Sequence, residues 1–323
     1  MKSMTPTRVE PNEQQPRCTL CGSLDTHVED WLSVALLARR YRKIFGMNID
    51  TCGASKIALR ICANCGLKFF TPRLNDDEAL YASLQKFSFY YLTDKDEYHK
   101  AKKYVRPTDD VLEIGSGWGA FSKLIQCNSY TGLEYNTAAI TAASEMGITL
   151  INDTVERHAK THADRYDVVC SFQVLEHVSD VGGFLSAAVH CTKPGGKIIM
   201  SIPSEDSFMG IDVNNVLNMP PHHATRWTDA CLTNVAGMFN LKLIALEHDR
   251  LADMHLVDYC ECFMRNVIRD TLRMKRRVLD PRFSRLPTRW LIARTARFLA
   301  KGLRAQEMRP YGHSVTAIYE KVS

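Results

Sequence analysis

Short runs of apolar residues recur along the second part of the chain, and they predict strands that are buried on both faces. The clearest runs are residues 111–114, 166–171 and 198–202. Between them lie segments whose apolar residues have helical spacing, such as the one that carries Ile140 and Met146. Strands that alternate with helices predict an α/β fold around a mostly parallel sheet.

Further strands and helix ends follow from the same pattern. Residues 130–134 and 148–151 predict the second and third strands, and residues 241–247 predict the sixth. Asn136 and Asp180 precede helical segments, and their side-chain oxygens can accept hydrogen bonds from the first backbone N–H groups of a helix. These two residues are therefore the predicted N-caps of the helices after the second and fourth strands.

Two matched cysteine pairs stand at the start of the folded part. Cys18 and Cys21 form one pair, Cys62 and Cys65 form the other, and each pair is followed by a glycine that eases a tight turn. Four such thiolates fill a tetrahedral zinc site, so we expect a structural zinc rather than a catalytic one. Reduced buried cysteines and a redox pair are the alternatives. The 40 residues between the pairs predict a helical insert, because apolar residues recur at Trp31, Val34, Leu37 and Ala38.

The composition is that of an ordinary globular protein, with 24% charged and 45% hydrophobic residues in a chain of 323. No run of about 18 apolar residues occurs, so no membrane-spanning helix is expected. The first 17 residues are polar and contain Pro6, Pro11 and Pro16. They predict a flexible start rather than a secretory signal. Eleven cysteines without an export signal favour a reducing compartment, and the expected location is the cytoplasm.

The net charge of +5 hides a strongly basic segment. Residues 265–309 hold 14 Lys and Arg against 3 Asp and Glu, a local charge of +11 that leaves −6 for the rest of the chain. One interpretation is a helix that packs its apolar face and solvates its charge. The other is attraction to an anionic membrane surface or to a phosphorylated, lipid-linked substrate. Nucleic acid is not expected, because few aromatic residues beyond Trp290 and Phe298 lie among the charges. The basic face consists of Arg294, Arg297, Lys301 and Arg304, and the apolar face consists of Ile292, Ala296, Leu299 and Leu303.

A glycine-rich turn follows the first buried strand. Gly115, Gly117 and Gly119 stand at alternate positions, and a helix-like apolar segment follows at residues 120–125. This arrangement is typical of nucleotide binding, because the backbone can approach a ligand closely and offer it free N–H groups. The same glycines fit a dinucleotide fingerprint, so an NAD-dependent sugar oxidoreductase is an alternative. Glu113 at the strand end argues against it, since a carboxylate repels a pyrophosphate and attracts an ammonium group.

The segment Glu-Ile-Gly-Ser-Gly-Trp-Gly at residues 113–119 resembles the first motif of class I S-adenosylmethionine-dependent methyltransferases. The resemblance implies a Rossmann-like sheet of seven strands, with an antiparallel last strand at residues 313–322. It implies that Glu134 binds the ribose hydroxyls and that Asp153 meets the adenine amino group. Lys-Pro-Gly-Gly at residues 193–196 is a later signature of the same family. The complete set of predicted cofactor residues is Glu113, Gly115, Ser116, Gly117, Gly119, Glu134, Tyr135, Asp153 and Phe172.

Leu-Glu-His-Val at residues 175–178 is similar to a segment of small-molecule methyltransferases, including the ubiquinone-type O-methyltransferases. It follows the fourth strand, at the edge where ligands bind in open α/β sheets. His177 is therefore a candidate general base. The alternative is that Glu176 and His177 only hold the loop. Some relatives bind a divalent metal with two acids and this histidine, but Gln173 occupies the first of those positions, which argues against that metal.

Pro-Pro-His-His at residues 220–223 resembles a stretch in a bacterial branch of class I methyltransferases that modify sugars and surface polysaccharides. It follows the fifth strand, so it can fold over the open end of the sheet. We predict that His222 or His223 binds the substrate or acts as a base. The alternative is that one histidine caps the next helix and the other is exposed. Metal binding by the pair is not expected, because chain neighbours seldom face one ion and no third ligand is obvious.

The expected activity is O-methylation of a sugar in a glycan, polysaccharide or nucleotide-sugar pathway, with S-adenosylmethionine as cofactor. C-methylation of a nucleotide-linked deoxysugar and O-methylation of a small molecule or lipid intermediate are alternatives, and a zinc adaptor without activity is a third hypothesis. Tyr90 and Tyr91 are candidates for a lid over the cofactor or substrate. The predicted organisation is a flexible start (1–17), a zinc-binding module (18–72), a helical connector or lid (73–108) and a methyltransferase domain (109–323) with a basic helical insertion (250–312).

Overall fold

The structure, a computed structural model of the chain, describes residues 15–74, 94–282, 289–303 and 305–322. These residues form two β-sheets, and helices pack against the larger one. The two tyrosines predicted to form a lid, Tyr90 and Tyr91, lie outside the described residues, as does Arg304 of the predicted basic face. Among the described helices, none is long and apolar enough to cross a lipid bilayer.

The regular elements alternate along the chain. The strands are β1 (Thr26–Ser33), β2 (Lys56–Cys62), β3 (Lys68–Thr71), β4 (Asp110–Ile114), β5 (Ser129–Leu133), β6 (Leu150–Ile151), β7 (Tyr166–Phe172), β8 (Thr192–Pro203), β9 (Thr225–Arg226), β10 (Leu241–Arg250) and β11 (Tyr311–Lys321). The helices are α1 (Val34–Phe45), α2 (Asp96–Lys102), α3 (Thr137–Glu145), α4 (Val155–His158), α5 (Val181–Cys191), α6 (Phe208–Ile211), α7 (Asp229–Met238), α8 (Leu256–Thr271) and α9 (Arg289–Gly302).

The larger sheet has the seven strands that the resemblance implied. Their order across the sheet is β10-β11-β8-β7-β4-β5-β6. The strands β4 to β8 are parallel to one another, whereas β11 pairs antiparallel with both β8 and β10. The carboxyl ends of the central parallel strands therefore meet at one edge of the sheet, where ligands bind in open α/β folds.

The central strands are buried on both faces, as their continuous apolar runs predicted. In β4, Leu112 packs into the core on one face of the sheet and Val111 into the core on the other. In β7, Val169 packs into the same core as Leu112, and Val168 packs into the same core as Val111. The predicted helix caps are confirmed as well. Asn136 Oδ1 accepts a hydrogen bond from the first turn of α3, and Asp180 accepts one from the first turn of α5.

The smaller sheet is antiparallel and has the order β1-β2-β3-β9. The first three strands come from the predicted zinc-binding module, but β9 comes from the main domain and pairs with β3 through Phe69 and Thr225. The module is thus anchored to the main domain by backbone pairing. The predicted helical insert between the cysteine pairs is α1, but it begins at Val34. Trp31, which was counted in its periodicity, lies in β1 instead.

The helix predicted after the glycine turn is not an α-helix. Residues Ala120–Lys123 form a single 3₁₀ turn instead. Phe121 is fully buried in the core under this turn and holds it against the sheet.

The basic insertion folds into two long helices, α8 and α9, which pack against each other. Their apolar contact is made by Leu256 and Cys260 of α8 with Ala296 and Ala300 of α9. The predicted apolar face of α9 is therefore only partly right, since Leu299 is exposed and Ala300 takes its place in the core. Arg294, Arg297 and Lys301 are exposed, as the amphipathic pattern predicted.

Candidate active site

A cleft of about 1890 Å³ opens at the carboxyl ends of the parallel strands. The turn after β4, the end of β5 and the end of β7 form one wall. The segment after β8 and helix α8 form the other wall. Seven predicted cofactor residues and all three predicted catalytic histidines line this one cleft, whereas Gly119 and Glu113 do not. The seven cofactor residues are Gly115, Ser116, Gly117, Glu134, Tyr135, Asp153 and Phe172.

The glycine turn requires residues without a side chain. Gly115 has φ of +70°, and a Cβ atom added there would lie 2.5 Å from Cγ2 of Val174. The backbone N–H groups of Gly115 and Ser116 both donate to the carbonyl oxygen of Leu133, at 2.8 and 3.0 Å. The turn is therefore tied to the end of β5, and its backbone forms part of the cleft wall.

Glu134 follows β5 and is held by three backbone donors. Its Oε2 accepts from Gly117 N at 2.8 Å, and its Oε1 accepts from Tyr135 N and Asn136 N at 2.9 and 2.8 Å. Burial raises the pKa of the Glu134 carboxyl, and these hydrogen bonds oppose the rise. The side chain is thus fixed in one orientation at the cleft, where it can accept hydroxyl hydrogen bonds.

Tyr135 and Asp153 line the cleft just after the ends of β5 and β6. Tyr135 is exposed. Asp153 Oδ1 accepts from Arg157 Nε at 2.6 Å and from the backbone of Thr154 at 2.8 Å. The carboxylate is therefore in a fixed position near the ends of β5 and β6. Its contact with an adenine amino group stays a prediction.

Glu113 does not face the cleft, contrary to the sequence-based expectation for its charge. It is buried beneath the glycine turn, where Tyr130 Oη donates to its Oε2 at 2.5 Å. Burial raises the pKa of Glu113 to about 8. The side chain of Glu113 instead points into the core, where Tyr130 of the neighbouring strand β5 is its hydrogen-bond donor. Its assignment to the cofactor stays a prediction.

Sequence reasoning missed a polar network at the end of β7. Gln173 has φ of +58°, and its Nε2 donates to Glu97 Oε2 at 2.7 Å and to Ser314 Oγ at 2.9 Å. Ser201 Oγ also donates to Glu97 Oε2, at 2.7 Å. Glu97, Gln173 and Ser314 line the cleft. Glu97 belongs to α2 and Ser314 to β11, so no local sequence signal could have indicated this network.

His177, His222 and His223 come together in the lining of the cleft, and we call them the histidine cluster. Their ring centroids are 4.6–5.0 Å apart. The expectation that no third ligand lies near the His222–His223 pair is wrong, because His177 is that neighbour. The alternative of one capping and one exposed histidine is also wrong. Both side chains are buried, and Thr228 caps the next helix, α7.

Burial disfavours the protonated, positively charged form of the imidazoles in the cluster. Burial lowers the pKa of His177 to about 3, and the neighbouring His222 adds to this effect. Burial also lowers the pKa of His223 well below its usual value. Both rings are therefore neutral near pH 7. A neutral ring offers a lone pair, but one with so low a pKa is a weak proton acceptor. The assignment of a general base within the cluster stays a prediction.

The four cysteines of the N-terminal module form a second cluster. The Sγ atoms of Cys18 and Cys65 are 3.5 Å apart, as are those of Cys21 and Cys62. All four Sγ atoms lie within 4.8 Å of one another. In each pair the glycine after the second cysteine has positive φ and donates its N–H to the carbonyl of the first, at 2.9 Å. This donor set fits a tetrahedral zinc ion.

Comparison with known proteins identifies the main domain. The profile of a family described as a methyltransferase domain matches residues 81–246, slightly more than half of the chain. The chain belongs to the class I S-adenosylmethionine (SAM)-dependent methyltransferases. The cleft of this methyltransferase has features that fit SAM, since Gly115 leaves no room for a side chain at the turn and Glu134 holds a carboxylate in a fixed position. The contact of Glu134 with the ribose stays a prediction. The family assignment sets the NAD-dependent oxidoreductase alternative aside.

Two curated relatives of this methyltransferase carry the name ubiquinone biosynthesis O-methyltransferase. The one from Serratia proteamaculans is 33% identical over 99 residues, which are 28% of this chain and 41% of that protein. The one from Proteus mirabilis is 32% identical over 123 residues, which are 34% of this chain and 50% of that protein. The chain thus spans half or less of the length of these relatives.

A solved structure with a similar arrangement is a SAM-dependent methyltransferase from Archaeoglobus fulgidus. The two share 15% sequence identity, with a TM-score of 0.49. The similarity covers 75% of this methyltransferase and 100% of that chain.

Proposed function

We propose that the protein transfers the methyl group of SAM to a hydroxyl oxygen of a sugar in a glycan, polysaccharide or nucleotide-sugar pathway. One observation carries the proposal. The cofactor residues and the histidine cluster line a single cleft, so one cavity can hold a methyl donor and an acceptor together. Holding two reactants in line accounts for a large part of the rate of a group transfer.

The side chains that line the cleft have two roles. When bound, SAM supplies a methyl group on a positively charged sulfur, which is open to attack by an oxygen lone pair. The glycine turn and Glu134 position the cofactor, since the turn admits close contact and Glu134 accepts hydroxyl hydrogen bonds. The histidine cluster lines the same cleft, and we assign it to the acceptor, whose hydroxyl its rings hydrogen-bond and orient.

Two observations support an oxygen acceptor on a sugar. The curated relatives are O-methyltransferases by name, which favours oxygen over carbon. The cleft is lined by polar as well as apolar side chains, and the polar ones include Asp212, Asn214 and Asp258. Such groups can hydrogen-bond the several hydroxyls of a sugar.

The test is an assay with purified protein, SAM and a panel of acceptors. The panel contains nucleotide sugars, lipid-linked sugars and a dihydroxyphenyl compound. We expect a product 14 mass units heavier from a sugar acceptor, and NMR of that product shows whether the new methyl is on oxygen or carbon. Methylation of the phenol alone would overturn the sugar assignment, and methyl transfer to a sugar carbon would overturn the O-methylation.

We further propose that the paired helices α8 and α9 bind an anionic membrane surface at the cytoplasmic side. Trp290 and Phe298 of α9 are 70% and 73% exposed, and Arg294 lies over the Trp290 ring at 5.4 Å. Large exposed aromatic rings beside exposed basic residues are typical of helices that lie in the headgroup region of a bilayer. A lipid-linked acceptor would then reach the enzyme at the membrane.

Sedimentation with lipid vesicles tests this proposal. We expect the protein to bind vesicles that contain phosphatidylglycerol and not vesicles of phosphatidylcholine alone, with binding that weakens as salt rises. The double change Trp290→Ala and Phe298→Ala should abolish binding. Trp31→Ala is the matched control, since Trp31 is 55% exposed on β1 of the smaller sheet. Equal loss in the control, or equal binding to both kinds of vesicle, would overturn the proposal.

A further inference from the structure

The geometry points to a second metal site, in which the histidine cluster binds a transition-metal dication of the zinc type. One ring nitrogen from each of His177, His222 and His223 lies within 4.8 Å of one from each of the others. Nitrogens bound to one zinc at 2.0–2.1 Å are about 3.4 Å apart in a tetrahedron. Closing the cluster on an ion therefore requires ring movements of about 1 Å, which side-chain rotation supplies.

All three rings are oriented by the same kind of contact. Nδ1 of His177 lies 2.6 Å from the carbonyl oxygen of His222. Nδ1 of His222 lies 2.9 Å from the carbonyl oxygen of Leu217, and Nδ1 of His223 lies 3.1 Å from Oδ1 of Asn218. An oxygen acceptor fixes the proton on Nδ1 and puts the lone pair on Nε2. This is how the outer partners of metal-binding histidines set their tautomer.

A buried carboxylate next to the cluster supplies a separate reason to expect a cation. Glu176 is 1% exposed, and its Oε2 accepts no hydrogen bond from any part of the chain that the structure describes. Its other oxygen, Oε1, lies 3.8 Å from Nε2 of His177. A buried carboxylate oxygen that accepts no hydrogen bond is costly. A dication held by three neutral rings carries the positive charge that Glu176 lacks.

The chemistry of the ligands decides which ions the site takes. Imidazole nitrogens suit zinc, cobalt, nickel and copper, whereas magnesium and calcium prefer oxygen ligands. Three protein ligands also leave a coordination position open, unlike the four-cysteine site. The cluster lines the cleft, so a ligand in the cleft can reach the open position. The use of this position for an acceptor oxygen rests on the proposed function, but metal binding itself does not.

The site was hidden in the sequence because its ligands come from two segments. The segment after β7 supplies His177, and the segment after β8 supplies the other two histidines. The backbone N–H of Ala224 donates to the carbonyl of Glu176 at 2.8 Å and brings the segments together. His222 and His223 stack at 21° on the same side, so these two chain neighbours can face one ion.

Cobalt titration of the metal-free, full-length protein tests the inference directly. Cobalt bound by four thiolates shows strong thiolate-to-metal charge-transfer absorption, whereas cobalt bound by imidazoles shows only weak ligand-field bands. We expect two equivalents to bind, one with the charge-transfer band and one without it. Saturation at a single equivalent with the thiolate band would overturn the histidine site.

Variants assign the second equivalent to its ligands. His222→Gln and His223→Gln should each lose the equivalent without charge transfer and keep the thiolate one. His158→Gln is the matched control, because His158 is also buried but bonds to Tyr166 Oη at 2.7 Å, away from the cluster. Two equivalents in His222→Gln and His223→Gln would overturn the assignment. In each variant, the cobalt ion that the four thiolates bind shows by its charge-transfer band that the protein is folded.

Calorimetry with SAM on the same samples separates this inference from the proposed function. Wild-type protein that binds SAM but only one metal ion keeps the proposed function and overturns the histidine site. Wild-type protein that binds two metal ions but no SAM keeps the histidine site and overturns the proposed function.

Discussion

Glu134 and Gly117 are joined by a hydrogen bond, with Oε2 of the carboxylate 2.8 Å from the backbone nitrogen. This bond links the end of β5 to the glycine turn after β4, the two elements that we assign to the cofactor. We expect Glu134→Ala to lower the affinity for SAM about 10- to 100-fold. Hydrogen bonds to a charged group are worth roughly 1.5–3 kcal/mol, and the variant also releases the turn. Isothermal titration calorimetry measures the change.

The control for this prediction is Glu145→Ala, an exposed acid at the end of α3. It should bind SAM as the wild type does. Wild-type affinity in Glu134→Ala would show that the carboxylate does not take part in cofactor binding.

We predict that position 115 requires glycine for two reasons: its backbone has a positive φ, and Val174 leaves no room for a side chain. Its φ is +70°, and an added Cβ would lie 2.5 Å from Val174. Gly147 has φ of +75° with no atom within 4 Å of an added Cβ, so it is a matched control for strain alone. Backbone strain should destabilise both Ala variants by about 1 kcal/mol, and the contact with Val174 should destabilise Gly115→Ala further. Only Gly115→Ala should lose SAM affinity, by about tenfold or more, in the same calorimetric assay.

The protonation of Glu113 should make the stability of the protein depend on pH. Burial raises its pKa to about 8 from an ordinary 4.5. Between pH 4.5 and about 8, Glu113 therefore keeps its proton in the folded protein but has released it in the unfolded chain. The free energy of unfolding consequently falls as the pH rises through this range. Without SAM, the melting temperature of the wild type should fall more steeply from about pH 5 to pH 9 than that of Glu113→Gln.

Equal slopes for wild type and Glu113→Gln would mean that Glu113 does not hold a proton in the folded state. Glu145→Gln serves as the control, and its melting temperature should follow that of the wild type at each pH.

The four-cysteine cluster should hold one zinc ion. We expect Cys62→Ser to contain one zinc fewer per chain than the wild type, by metal analysis of the purified protein. Its melting temperature should be lower by about 5–10 °C, which corresponds to roughly 3 kcal/mol. Cys52→Ser is the control, since Cys52 is exposed and stands outside the cluster. An unchanged zinc content in Cys62→Ser would contradict the site.

Local patterns were sufficient where neighbours in the sequence are also neighbours in the structure. The apolar run at residues 111–114 is β4, and Asn136 and Asp180 cap the helices that follow them. Each cysteine pair closes its own turn with the glycine that comes next. These features depend on a few adjacent residues, so their chemistry can be read directly from the chain.

Features that depend on contacts between distant segments were missed or misjudged. Glu113 was expected to face the ligand, but it points into the core, where the hydroxyl of Tyr130 is its hydrogen-bond donor. Glu97 and Ser314 meet Gln173 although they are 76 and 141 residues away from it. Nothing in the local sequence around any of these residues indicates its partner.

The sequence by itself determined the order of strands and helices, the glycine turn and the four-cysteine site, because short-range periodicity and spacing encode them. The tertiary structure alone decided that His177 would stand beside His222 and His223, since this depends on how the segments after β7 and β8 pack over the sheet. It also decided that β9 of the main domain would complete the sheet of the N-terminal module, because strand pairing is set by the fold and not by adjacency in the chain.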